Sequence, residues 1–288
     1  MEKDNITLDV LSGASNRRSL LKTIGVASAA VGAGFAAGGI KLQASESSPT
    51  VVDVLQFALN LEYLEAEFYT VATTGKTIDQ APYSIGITGQ GNEGLTIGGS
   101  KVNFNNNLIF TQAVALEIAQ DERDHVTLLR TALMQAGITP VAKPEIKLDA
   151  LGIGFSSVAS FLTLARIFED IGVTAYAGAA QLTSVSSSPY IGTAARILAT
   201  EAQHVGNIRL QMARLGVKSP KLDGADILPP PSGTQYISVN SQGLVETRTP
   251  GQVLYLAYGM GSATQGGFFP MGVNGALRTS SSTPAIAD

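Results

Sequence analysis

Both histidines of this chain stand three residues after a glutamate. One pair lies in Glu122-Arg123-Asp124-His125, the other in Glu201-Ala202-Gln203-His204. On a helix this spacing puts carboxylate and imidazole on one face, a turn apart, where both can bind the same metal pair. Ile118, Leu129 and Ala132 share a three-four rhythm with Glu122 and His125, and Ile197, Ile208 and Met212 share one with Glu201 and His204. The acidic groups therefore belong to apolar, inward-facing stripes. A carboxylate placed there needs a cation or a dense hydrogen-bond network. With no Cys and only two His, thiolate zinc sites, disulfides and Cys nucleophiles are excluded. Carboxylates and imidazoles remain, a donor set that suits iron or manganese.

Two further stretches carry a carboxylate in the same kind of stripe. Glu62 precedes Tyr69 by seven residues and Glu169 precedes Tyr176 by seven, two helical turns in each case. The chain thus reads as a duplication. Its first half contains Glu62, Tyr69, Glu122, His125 and Gly137; its second contains Glu169, Tyr176, Glu201, His204 and Gly216. Arg130 matches Arg209, and a glycine follows each histidine by twelve residues. Glu65 is a turn from both Glu62 and Tyr69 and can also face the site, whereas Gly172 stands at the matching place in the second half. Metal ligation by Glu62, Glu122, His125, Glu169, Glu201 and His204 is the expectation; an inward polar network without metal is the alternative. Glu65, Tyr69 and Tyr176 are candidates for supporting catalytic roles. The tyrosines serve either as hydrogen-bond donors or radical traps, or as core packing.

These residues need four helices to bring them together. Helical periodicity runs over about 51–73, 106–136, 157–183, and from the Ser188-Pro189 cap to Gly216. Thr50 with Asp53 forms a capping box at the first start. The segment 75–105 is long and Gly-rich and is expected to be an inserted surface loop. The connector 138–155, at about 3.3 Å per residue, reaches nearly 60 Å. A helix of about 27 residues is only about 40 Å long, so this connector can run the length of a bundle. Beyond Gly216 the chain becomes rich in Pro, Gly and Ser, with a short apolar helix opened by Thr249-Pro250, the run Gly266 to Pro270, and a Ser/Thr tail. It is expected to wrap the bundle and to end in a disordered tail.

Taken with the runs Leu59 to Tyr69, Thr200 to Val205 and Gly266 to Pro270, the mature chain resembles the ferritin-like family that includes plant desiccation-related proteins and exported bacterial homologues. The resemblance spans about residues 50–280. It implies an all-α, ferritin-like four-helix bundle with a long crossover, here with an irregular C-terminal extension. It also implies the six ligand positions above and two metal ions, Fe or Mn. It does not assign an activity.

The start of the chain predicts export. Asn16-Arg17-Arg18-Ser19-Leu20-Leu21-Lys22 is a twin-arginine pattern, followed by an uncharged Ala, Gly and Val stretch and by Leu42-Gln43-Ala44, a small-residue cleavage site. The expected layout is therefore a signal over residues 1–44, a bundle over 45–216 and an extension over 217–288. The mature protein is expected in the periplasm or outside the cell, with no stable membrane span. A net charge of -4 and a pI near 5.3 argue against nucleic acid as a partner. Dioxygen or hydrogen peroxide are the expected small substrates, and a homo-oligomer is compatible with the pattern. Three readings remain open: Fe(II) oxidation, manganese-based peroxide dismutation, and a non-enzymatic stress or desiccation protein with a structural or vestigial site. A substrate oxidase working through a radical is a weaker fourth. Cage-type iron storage is not expected, because the insertion and extension would alter shell contacts.

Overall fold

The computed structural model describes residues 48–105 and 109–287, and from Ser48 onward they form one compact unit. The export signal expected over residues 1–44, and the start of the second helix expected near Asn106, lie outside the described residues. The helices are α1 (Val51–Thr74), α2 (Ile109–Gln135), α3 (Val158–Gln181), α4 (Thr183–Ser186), α5 (Ile191–Leu215) and α6 (Pro250–Ala257). The bundle consists of α1, α2, α3 and α5. Among the described residues the only strands are β1 (Thr96–Ile97) and β2 (Ile146–Lys147), paired in parallel with Thr96 opposite Ile146.

Local chemistry sets the helix ends. The Thr50 hydroxyl accepts from Asp53 N at 3.1 Å while Asp53 Oδ2 accepts from Thr50 N at 2.9 Å, which closes the capping box of α1. Left-handed Gly75 (φ 79°) stops α1, and left-handed Gly216 (φ 67°) stops α5. Thr249 and Gln252 form a second capping box at α6. The start of α5 departs from expectation. Ser188 is not its cap; the helix begins at Ile191 after Tyr190, and α4 occupies the connection. The Ser188 hydroxyl is used locally instead, donating to Val185 O at 2.7 Å and accepting from Tyr190 N at 3.2 Å.

The two most extensive helix pairings are α1 with α2 and α3 with α5. Both are antiparallel. Tyr63 meets Arg130 while Thr70 meets Arg123; Thr163 meets Lys218 while Asp170 meets Arg209. The core runs through all four helices, with Tyr63, Phe68, Tyr69, Leu129, Phe161 and Met212 fully enclosed.

The insertion at 75–105 is more than the surface loop its glycines suggest. Ile78, Val102 and Phe104 are buried in the core, and β1 joins the crossover through β2. The glycines permit close backbone approach. A Cβ at Gly89 would stand 2.1 Å from Pro140 O, and one at Gly94 would stand 2.3 Å from Glu145 N. The C-terminal extension likewise contributes core residues, among them Val253, Leu254, Phe268 and Phe269. The tail expected to be disordered is docked as far as Ala285, which is buried and whose carbonyl accepts from Gly224 N at 2.9 Å. No helix among the described residues is long and apolar enough to cross a membrane.

Candidate metal centre

The bundle places all six expected ligands at one level. They form two overlapping quartets: Glu62, Glu122, His125 and Glu201, and Glu122, Glu169, Glu201 and His204. Within each quartet one ligand atom per residue lies within 4.8 Å of the others, and all six residues are buried. Glu122 and Glu201 belong to both. His125 Nδ1 stands 3.2 Å from Glu62 Oε2, 3.4 Å from Glu122 Oε2 and 3.3 Å from Glu201 Oε1. His204 Nδ1 stands 3.1 Å from Glu122 Oε1 and 3.3 Å from Glu169 Oε2.

These donor atoms converge without satisfying one another. Both oxygens of Glu122, Glu169 and Glu201, together with Glu62 Oε2 and both imidazole Nδ1 atoms, are buried and lack a hydrogen-bond partner. A bundle that buried four carboxylates this way would be heavily destabilised unless a cation sat among them. Among the described residues no Lys or Arg is free to do so, and in the metal-free protein only protonated His125 and His204 supply positive charge there. Among the described residues, the buried cations are Arg123, Lys143, Arg166, Arg209 and Arg248. Each is engaged elsewhere: Arg123 with Thr70, Lys143 with Glu67, Arg166 with Asp226, Arg209 with Asp170 and Arg248 with Asp223. Inward carboxylates and two imidazoles, with orphaned lone pairs, fit metal ions.

The electrostatics show the same deficit of positive charge. Burial, reinforced by the neighbouring carboxylates, raises Glu122 to about 7 and Glu201 to about 8. Burial also raises Glu169. Glu62 is held below its ordinary value: burial opposes this, but His125 and the Tyr176 hydroxyl outweigh it. Burial alone would lower both histidines, yet the surrounding carboxylates win and raise them, His204 to about 12.

Neighbouring groups orient the candidate ligands. His204 Nε2 lies 3.0 Å from Asp121 Oδ2. With Asp121 accepting at Nε2, the neutral ring keeps its hydrogen there and its Nδ1 lone pair is available to a metal ion. Asp121 is partly exposed and orients this histidine, while Asp124 is exposed and bonds Gln120. Tyr176 donates to Glu62 Oε1 and leaves Oε2 for the centre. The buried Tyr69 hydroxyl adjoins Glu169 without a well-formed hydrogen bond, and its ring packs on Phe68 and Phe161. The tyrosines thus cross over: Tyr176 bonds, and Tyr69 adjoins, the glutamate of the opposite half. Spacing alone could only place each on the face of its own. Glu65 is buried beside the cluster, and burial first, then Glu201, raises it well above an ordinary carboxyl. Gly172 explains how it fits, since a Cβ there would stand 2.7 Å from Glu201 Oε2 and 3.2 Å from Glu65 Oε1.

The duplication also extends to residues that sequence matching left unpaired. Tyr63 follows Glu62 and bonds Arg130; Asp170 follows Glu169 and bonds Arg209. Each arginine then pins a connecting segment, Arg130 through Thr88 O and Arg209 through Ile227 O and Gln235 O.

Comparison with known proteins agrees with this architecture. The ferritin-like catalase Nec2 of Nesocodon mauritianus is 25% identical over 281 residues, covering 78% of this chain and 84% of that protein. The ferritin-like domain model matches residues 50–214, which takes in α1, α2, α3, α5 up to Arg214 and every residue of both quartets. By that match, and by the paired Glu-x-x-His helices in its core, this chain belongs to the ferritin-like domain family.

Proposed function

We propose that the six side chains hold two metal ions, iron or manganese, and that the protein acts on hydrogen peroxide outside the cytoplasm as a stress-protective enzyme. The observation that carries this is the pair of overlapping quartets sharing Glu122 and Glu201, with their donor atoms buried and unpartnered. The relative described as a ferritin-like catalase supports peroxide as substrate. The twin-arginine pattern at Arg17-Arg18 supports export after folding. When bound, two redox-active ions supply alternating oxidation and reduction, so that two hydrogen peroxide molecules yield one dioxygen and two waters. The chain's own residues do the rest. Asp121 fixes the tautomer of His204, Tyr176 orients Glu62, and the closed aromatic core around Tyr69 keeps bulk water away. A hollow lined by Glu117, Asp121, Gln203, His204 and Asn207 offers polar molecules an approach to the cluster.

Oxidation of Fe(II) by dioxygen or peroxide is the second reading. It is favoured by the acidic side chains of that hollow, which would attract a cation beside His204. Metal content by mass spectrometry on exported mature protein comes first, followed by oxygen release from peroxide and by Fe(II) oxidation. About two manganese ions per chain with rapid oxygen release supports the peroxide reading. Two irons with fast Fe(II) oxidation moves the assignment to the second. No bound metal, and no uptake of Fe(II) or Mn(II), would sink both and leave a non-enzymatic stress protein.

A further inference from the structure

A cavity of about 220 Å³ opens between α1, α3 and α6, and its lining includes Glu65 and Gly172, which adjoin the cluster. Its walls include Leu64, Ile167, Leu256 and Phe268, and its one polar side chain is Glu65, buried at 5% exposure. Glu65 and Gly172 lie where the cavity meets the centre, since the missing Cβ of Gly172 leaves room for both Glu65 Oε1 and Glu201 Oε2. The rim is formed by Leu151 and Met260, apolar residues that are 44% and 57% exposed. Met260 holds a left-handed backbone (φ 70°), rare for a residue with a side chain.

This cavity is ill suited to peroxide, water or metal ions. Apolar cavities of about 150 Å³ stay dry and take up benzene or xenon. Polar molecules already have the hollow beside His204. Something else must explain an apolar chamber that ends on a single carboxyl group beside the cluster. We propose that it binds a small apolar molecule carrying one hydroxyl or hydroperoxyl group, with its hydrocarbon body among the aliphatic walls and its oxygen at Glu65. The significance of that oxygen lying next to the metals rests on the function proposed above; the binding itself does not.

Calorimetric titration of the full-length protein with cumyl alcohol tests this, in metal-loaded and metal-free form. Cumyl alcohol combines a benzene-sized body with one hydroxyl and is unreactive. One molecule is expected to bind per chain. Ala257→Phe, which fills the cavity, and Leu151→Trp, which blocks its rim, should each weaken binding by at least tenfold while metal content stays unchanged. Glu65→Leu should erase the preference for cumyl alcohol over cumene. If Ala257→Phe does not fold, Leu151→Trp decides, because Leu151 is exposed. Failure of the folded wild type to bind, or equal binding by the rim variant, overturns the proposal. So does a dimer that Leu151→Trp breaks, since the chamber would then be filled by another copy. Metal-free protein that binds cumyl alcohol but never takes up metal keeps the cavity and removes the metal centre; the reverse result removes the cavity alone.

Discussion

Glu122 and Glu201 each serve both quartets, while the histidines serve one each. Replacing His125 or His204 by Ala should therefore remove a ligand from one position and weaken the other less. A ligand present at a thousandfold excess over its Kd stabilises by about 4 kcal/mol. Losing one metal should then lower Tm by on the order of 10 °C. Metal content and Tm should fall together, and unchanged metal occupancy in both variants would rule out these ligands. A pH prediction belongs to the same residues. Glu122 and Glu201 hold protons to about 7 and about 8, against 4.5 for an ordinary carboxyl. A raised carboxyl favours the folded state below its unfolded value and loses that advantage as pH climbs through its folded value. The raised histidines act in the same direction above their ordinary 6.5. The lowered Glu62 acts oppositely, but only on acidification below 4.5. Chelator-treated protein should thus melt at progressively lower temperature from pH 5 to pH 9. Metal-loaded protein should not, because metal replaces the protons. A flat or rising profile in the metal-free protein would contradict the electrostatic account.

Within the elements, α3 is shaped by two glycines that a helix would not otherwise favour. Gly to Ala in a helix interior ordinarily gains about 1 kcal/mol. At Gly172 the added methyl would stand 2.7 Å from Glu201 Oε2, the end of a candidate ligand side chain. Gly172→Ala should therefore keep helix content and displace Glu201, lowering metal bound per chain; full occupancy would show that Glu201 can rotate aside. At Gly178 the methyl would stand 2.1 Å from Arg248 O, a backbone atom of the extension. Gly178→Ala should destabilise by about 1–3 kcal/mol or more despite the propensity gain, measured as a shift in the urea midpoint. Ser188-Pro189 made α5 legible, yet the helix begins at Ile191, because a serine hydroxyl can serve a turn as readily as a cap.

For the whole molecule, the extension is a structural part of the bundle. Arg248 is buried on Asp223 and on Thr174 of α3, and Asn60 of α1 bonds the backbone of Asn274 in both directions. Truncation after Gly216 would strip the bundle of Phe268, Phe269 and α6 and leave buried Arg209 without its carbonyl partners. The truncated chain should lose its cooperative thermal transition in calorimetry; a sharp transition near that of the whole chain would show the bundle to be self-sufficient.

The fold class and the six inward donors were legible in sequence because they depend on periodicity. A three-residue spacing puts Glu and His on one face wherever a helix forms, and apolar neighbours say which face turns inward. Conformation at the helix ends was legible for the same local reason, as at Thr50-Asp53 and Gly216. What periodicity does not contain is which element approaches which. The crossing of Tyr176 to Glu62, the pairing of Asp121 with His204, the docking of the Gly-rich insertion and the chamber at Glu65 all join residues far apart in the chain. Glycine shows why. In sequence Gly89 and Gly94 signal a loop and Gly172 a break in the duplication, and in the packed protein all three mark places where backbone or carboxylate comes too close for a Cβ. Only tertiary packing, which sets those distances, separates the two meanings.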